Sequence, residues 1–232
     1  MPNFNNFVAT DWRSGKDRIY FFFKDTNKYT RFDLGDHQVP DSFPRETTQY
    51  SWPGFHENAE HLRFGFTTTG LDTRIAGGSD DFSWFFYYDG KTPMVCKYDQ
   101  DQDKTLNNYR VENSILAPIF PYFERIVAGT WWQLTGKKFL FRFLLNDGHY
   151  LSFDYQKNQL THGEITATSM PGLERFKHRI ITAAQNDRTF ADSFYYIFLN
   201  RGQFLIYNIQ QNHLHSGPHG MNDEAWPGLF RD

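Results

Sequence analysis

Cysteine occurs once, at Cys96, so the chain forms no internal disulfide. There is no long basic block and the net charge is −3. Phosphate backbones are held by clustered Lys and Arg, so this balance argues against nucleic acid as a partner. No apolar run is long enough to span a bilayer, which argues against membrane insertion. Residues 1–12 (MPNFNNFVATDW) lack the basic start and apolar centre of a secretion signal, and no Asn-x-Ser/Thr sequon occurs. The expectation is cytoplasmic synthesis, with release from the cell by a leaderless route or by lysis left open. Catalytic signatures are also missing: no Gly-x-Ser-x-Gly, no His-Glu-x-x-His, no phosphate loop and no paired Cys. The chain is therefore expected not to be an enzyme.

What the sequence has in quantity is aromatic residues, with 25 Phe and 13 Tyr, which suit strands. They fall in a pattern. Residues 19–33 read IYFFFKDTNKYTRFD, two aromatic or β-branched runs either side of a polar turn, which predicts a β-hairpin. The same design recurs at 84–99, 139–154 and 194–208. Each copy ends in an aromatic followed by Asp or Asn: Phe32-Asp33, Tyr98-Asp99, Phe153-Asp154 and Tyr207-Asn208.

A second marker follows each hairpin: Trp52-Pro53-Gly54-Phe55, Phe120-Pro121-Tyr122-Phe123, Met170-Pro171-Gly172-Leu173 and Trp226-Pro227-Gly228-Leu229. A weaker one precedes each: Phe7-Val8-Ala9, Leu62-Arg63-Phe64, Ile126-Val127-Ala128 and Ile181-Thr182-Ala183. Three markers in fixed order, four times over, indicate a propeller, solenoid or array. The repeats run over about 5–58, 59–125, 126–178 and 179–232. No Pro-, Gly- or Ser-rich linker separates them, so four sheets are expected to pack in one domain covering 1–232. Closing them in a ring removes the end surfaces that an open stack must cap.

The second repeat is the longest, and its excess sits mostly at 67–81 (TTTGLDTRIAGGSDD). Its Gly, Thr, Ser and Asp content predicts an inserted surface loop. Loops on rigid scaffolds often carry function, which makes Asp72 and Arg74 candidate ligand contacts; a tolerated insertion is the alternative. In the third repeat, Asp147-Gly148 is a strong hairpin signal.

These residues resemble the hemopexin repeat, whose unit has an Ala-containing first strand, a hairpin such as Y-F-F-K-G-D-x-Y-W-R-Y-D and a W-P-G-L/F turn. Residues 20–33 with 52–55 match best, the fourth repeat matches well, and the second and third are degenerate. Four-repeat chains of this kind resemble plant seed albumin-2 type and bacterial photopexin-like proteins. The resemblance implies an all-β, four-bladed propeller with four-stranded blades around an axial tunnel. It also implies a binding scaffold, with calcium or sodium on tunnel carbonyls and chloride on tunnel amides. Family repeats often carry Asp just before the Ala of the first strand. The matching positions here are Val8, Arg63, Val127 and Thr182, none of them acidic. An inward Arg63 would repel a cation and favour an anion, whereas in a register slipped by one residue it would point outward.

Other constellations were weighed on their chemistry. Asp99, Asp101 and Asp103 lack the Gly and Glu that an EF-hand loop requires, which leaves an acidic turn. His213 and His215, spaced i and i+2 with His219 nearby, are candidate metal ligands, against the alternative of an ordinary polar loop. Trp12, Trp84, Trp131 and Trp132 are either sugar platforms or fillers between blades. Cys96 falls where the other repeats have Thr30, Leu151 and Leu205, and reads as a packing residue. The expected function is a binding module holding a small molecule or ion at the tunnel or its mouth. The alternative is a lectin that binds glycans with exposed aromatics and the second-repeat loop. A homodimer is left open.

Overall fold

The computed structural model describes residues 3–71, 81–134, 137, 139–188 and 192–231. Four antiparallel sheets of four strands each stand around a common axis. The first contains β1 (Phe7–Trp12), β2 (Arg18–Phe23), β3 (Lys28–Asp33) and β4 (Arg45–Glu46). The second contains β5 (Leu62–Thr69), β6 (Asp81–Asp89), β7 (Thr92–Asp99) and β8 (Lys104–Arg110). The third contains β9 (Ile126–Trp131), β10 (Leu140–Leu145), β11 (His149–Asp154) and β12 (Gln159–Glu164). The fourth contains β13 (Ile180–Gln185), β14 (Phe194–Leu199), β15 (Gln203–Asn208) and β16 (His213–Gly220). The inner strands β1, β5, β9 and β13 each touch the next around the ring, and β13 touches β1. This is a four-bladed β-propeller.

Burial falls from axis to rim. Every residue of β1 is buried, while β8, β12 and β16 are largely exposed. Inner strands lie between neighbouring blades on both faces, so they read as continuous apolar runs rather than as alternating ones. The four predicted hairpins are β2–β3, β6–β7, β10–β11 and β14–β15. Gly148 sits at φ +83° in the β10–β11 turn, a conformation that costs glycine nothing. At 67–81 the structure differs from the loop reading. Residues 67–69 extend β5, and Thr67 and Thr68 are fully buried; their side chains and amides find partners inside the ring, which a surface loop would not offer. Asp72 and Arg74 lie outside the described residues.

The proline markers seal the seams. Trp52 packs edge-on against Tyr20 and Tyr29 of the first blade and Phe85 of the second. Trp226 packs on Phe198 and Phe204 of the fourth blade and on Phe21 and Phe32 of the first. Burying a large aromatic contributes on the order of 2–3 kcal/mol, so each seam rests on a few such rings. The last seam is completed by backbone: the Val39 amide donates to the Pro227 carbonyl at 2.9 Å. Among the described residues no helix is long and apolar enough to cross a membrane.

Candidate functional site

Strand pairing fixes which inner-strand residues share a level. Ala9, Gly65, Gly129 and Ala183 stand opposite Phe21, Phe85, Phe143 and Ile197. These four small residues form the waist of the channel. A Cβ on Gly65 would lie 2.8 Å from Thr10 Cγ2, and one on Gly129 would lie 2.9 Å from Phe66 Cδ1. The blades approach too closely there for any side chain.

The waist shows how the sequence alignment of first strands differs from the structure. Val8 and Thr182 share a level with Phe64 and Ala128, not with Arg63 and Val127. Arg63 and Val127 fall in β-bulges at the starts of β5 and β9. A bulge adds one residue to one strand, and this slips the side-chain phase by one. Val8 is buried, and the Thr182 hydroxyl accepts from the Ala9 amide at 3.0 Å, tying β13 to β1. Arg63 donates to the Glu124 carbonyl at 3.0 Å and lies beside the Tyr88 ring. It sits at the beginning of β5, whereas the 67–81 segment leaves the other end. The strand's rise puts roughly 20 Å between them.

At that other end, side chains from all four blades converge. Arg13 donates through Nε to Asp11 at 3.3 Å and through Nη1 to Gln133 Oε1 at 3.0 Å, and its guanidinium lies 5.2 Å from the Trp131 ring centre. Gln185 Nε2 donates to the same Gln133 oxygen, and its own oxygen accepts from the Thr130 hydroxyl at 2.6 Å. The Asp11 carboxylate accepts from the Thr67 amide, and the Thr67 hydroxyl donates to the Asp11 carbonyl. Gln100 donates to Thr67 and Ser83 and accepts from the amides of Arg13 and Ser14. A network joining four blades can only lie on the axis, so Arg13 closes this mouth of the channel. Burial pushes the Asp11 carboxyl up to about 6, against the opposing pull of Arg13 and its hydrogen bonds. The sequence reading placed Arg13 in a turn. Its buried role depends on Gln133 and Trp131 of the opposite blade, which no local pattern reveals.

Cavities among the described residues open along the two seams of the first blade. The largest, about 750 Å³, lies between the first and second blades and runs from Ser14 and Gln100 at the plugged mouth out to Tyr50 at the rim. Three arginines line it. Arg18 and Arg31 share the buried Asp33 carboxylate at 3.1 and 3.4 Å. Arg31 and Arg45 lie 5.2 and 4.6 Å from the centre of the Phe43 ring. Tyr50 is 96% exposed. Between the fourth and first blades, a cavity of about 520 Å³ holds Lys16, Asp17, Asp36 and Arg188. Burial also pushes Asp17 up to about 6; its carboxylate accepts from the Asp187 amide at 2.9 Å.

The histidines of β16 are held separately. His213 Nδ1 is 2.8 Å from the Leu214 carbonyl and its Nε2 is 2.7 Å from Gln211. The His215 ring packs on Phe194, and His219 on Phe204. Among the described residues no group of three or more His, Cys, Asp or Glu side chains is placed to hold a metal ion. Trp12, Trp84, Trp131 and Trp132 are all buried, so they fill seams. The Asp99 carboxylate accepts from the Asp101 and Gln102 amides, closing the acidic turn on itself. Cys96 is fully buried in β7, and burial raises its thiol to about 12.

No protein-family model matches this chain, and no curated protein does. Among solved structures, one described as "Structure of Dos1 propeller" is similar over 93% of this chain, at 10% identity and a TM-score of 0.32. The match takes in 47% of that structure, so this chain spans about half its length.

Proposed function

We propose that this chain is a non-enzymatic binding module of hemopexin-like type, holding a small ligand beside one mouth of its axial channel. The observation that carries this reading is where space is found. Arg13 fills the mouth at the ends of the inner strands, while the cavity between the first and second blades opens next to it at about 750 Å³. That size suits a small molecule, and convergent polar groups over an aromatic floor are typical of such sites. The guanidinium at the mouth disfavours a cation there, so calcium, sodium or chloride in the channel is subordinate to the seam groove in this reading.

Binding of glycans is the second reading, and Tyr50 favours it. A large aromatic side chain that is 96% exposed packs against nothing in its own chain, yet it stands at the rim of the groove. A thermal-shift screen with inorganic ions, polyamines, haem and saccharides tests both. The expected result is a raised melting midpoint with one class, reduced in a Tyr50→Ala variant. A flat screen together with an empty glycan array would overturn the proposal.

A further inference from the structure

The groove between the first and second blades has a chemical bias that names its ligand class. Three guanidiniums converge on it from three different strands or loops: Arg18 from β2, Arg31 from β3 and Arg45 from β4. Two of them share a single carboxylate, Asp33, which leaves that trio one positive charge in excess. The Arg31 Nε meets Asp33 only as an ion pair, without hydrogen-bond geometry. Arg45 donates to the Ser42 carbonyl and otherwise lies flat on Phe43.

The Phe43 ring matters here. With Arg31 and Arg45 both on it, the two guanidiniums are stacked in place, so less side-chain freedom is lost when a ligand arrives. A planar fork of donors fixed in this way matches a carboxylate or sulfate bidentately. Two carboxylates also line the groove. Asp103 is taken by the Tyr98 hydroxyl at 2.7 Å, and Glu46 is exposed at the rim. A groove with donors, acceptors and an aromatic face suits a polyhydroxylated ring better than a bare inorganic anion. Tyr50 supplies that face at the open end.

We infer that the groove binds an acidic saccharide, its oxyanion on Arg31 and Arg45 and its ring against Tyr50. The inference rests on the reading of this groove as the ligand site. The shared chemistry is an oxyanion on a pyranose ring, from a uronic-acid carboxylate or from a sulfate ester.

Calorimetric titration of the whole chain tests it with three probes: a uronic-acid oligosaccharide, a sulfated oligosaccharide and a neutral oligosaccharide of equal length. At least one acidic probe is expected to bind ten-fold or more tighter than the neutral one, and to weaken as salt is raised. Tyr50→Ala and Arg45→Ala both alter exposed side chains, so both variants remain folded, and each is expected to weaken the acidic probe at least ten-fold. Arg45→Lys is expected to recover only part of the loss, because it keeps the charge and loses the fork. A neutral probe bound as tightly as the acidic ones, and lost in Tyr50→Ala, would overturn the acidic class while leaving the groove as the ligand site. Acidic binding untouched by both alanine variants would overturn the groove itself.

Discussion

Arg13 of the first blade lies over the ring of Trp131 in the third, straight across the propeller axis, with its guanidinium carbon 5.2 Å from the ring centre. Its partner Asp11 is two residues away on the same strand end and is equally buried. The pair is thus a charged plug in a dry channel mouth. Removing one member strands the other. Arg13→Ala is expected to cost about 3–5 kcal/mol of stability, read by urea unfolding. The double variant Asp11→Asn/Arg13→Met removes both charges and is expected to cost clearly less. Equal losses in the two variants would show that packing against Trp131, rather than charge, is what Arg13 supplies.

The same region sets a dependence on pH. Burial pushes both Asp11 and Asp17 up to about 6, from an ordinary 3.8. A carboxyl with its folded value above its unfolded one holds a proton more tightly when folded. Its contribution is complete below about pH 4 and is lost as pH rises through 6. The unfolding free energy is therefore expected to increase on going from pH 7 to pH 5, by roughly 1–3 kcal/mol in all. Asp17→Asn keeps the acceptor for the Asp187 amide and is expected to flatten that rise. A wild-type stability that falls from pH 7 to pH 5 would contradict it.

Gly65 and Gly129 leave no room for a β-carbon. In Gly65→Ala the new atom would meet the Thr10 methyl at 2.8 Å, the Phe85 ring at 3.0 Å and the Trp84 carbonyl at 3.1 Å. One of these contacts is backbone and cannot rotate away. A loss of about 1–3 kcal/mol is expected. Gly35→Ala, which meets nothing within 4 Å, serves as the control and is expected to be neutral within about 0.5 kcal/mol.

Cys96 offers a probe of ring integrity. Its thiol is fully buried and held near 12, so the reactive thiolate is scarce at neutral pH. An aromatic disulfide reagent is expected to label it only at the rate of unfolding, and labelling is expected to speed up in Gly65→Ala. Rapid stoichiometric labelling of the native protein would mean that the second blade opens locally.

Calcium is expected to leave the melting midpoint nearly unchanged. A ligand at a hundred times its dissociation constant adds about 2.7 kcal/mol to a folded state. The axial level next to the plug presents Asp11 already neutralised by Arg13. A shift of several degrees at millimolar calcium, reversed by chelator, would place a carbonyl site at the waist.

The ring itself was legible because its code is short-range. Aromatic runs, Asp-Gly turns and the proline markers each act within one blade, and they recur. The inner strands were harder to read. Bulges at Arg63 and Val127 shift the phase by one residue, and a bulge leaves no mark in an apolar run. The plug could not be read at all, since Arg13, Gln100, Gln133 and Gln185 meet only once four blades have closed. Tyr50 was overlooked for the opposite reason. It belongs to no repeat marker, and its meaning comes from standing unpacked beside a groove.

The rings of Phe4 and Phe230 lie 4.6 Å apart. Each blade is built from one continuous stretch of chain, and the fourth meets the first through side chains and the Val39–Pro227 hydrogen bond alone. The seam that no peptide crosses is therefore chemically like those that one does. The order in which a ribosome delivers the blades is then immaterial to the finished ring. A circularly permuted gene, with a short tether joining residue 231 to residue 3 and its new ends cut ahead of β9, encodes the same object read from a different starting point.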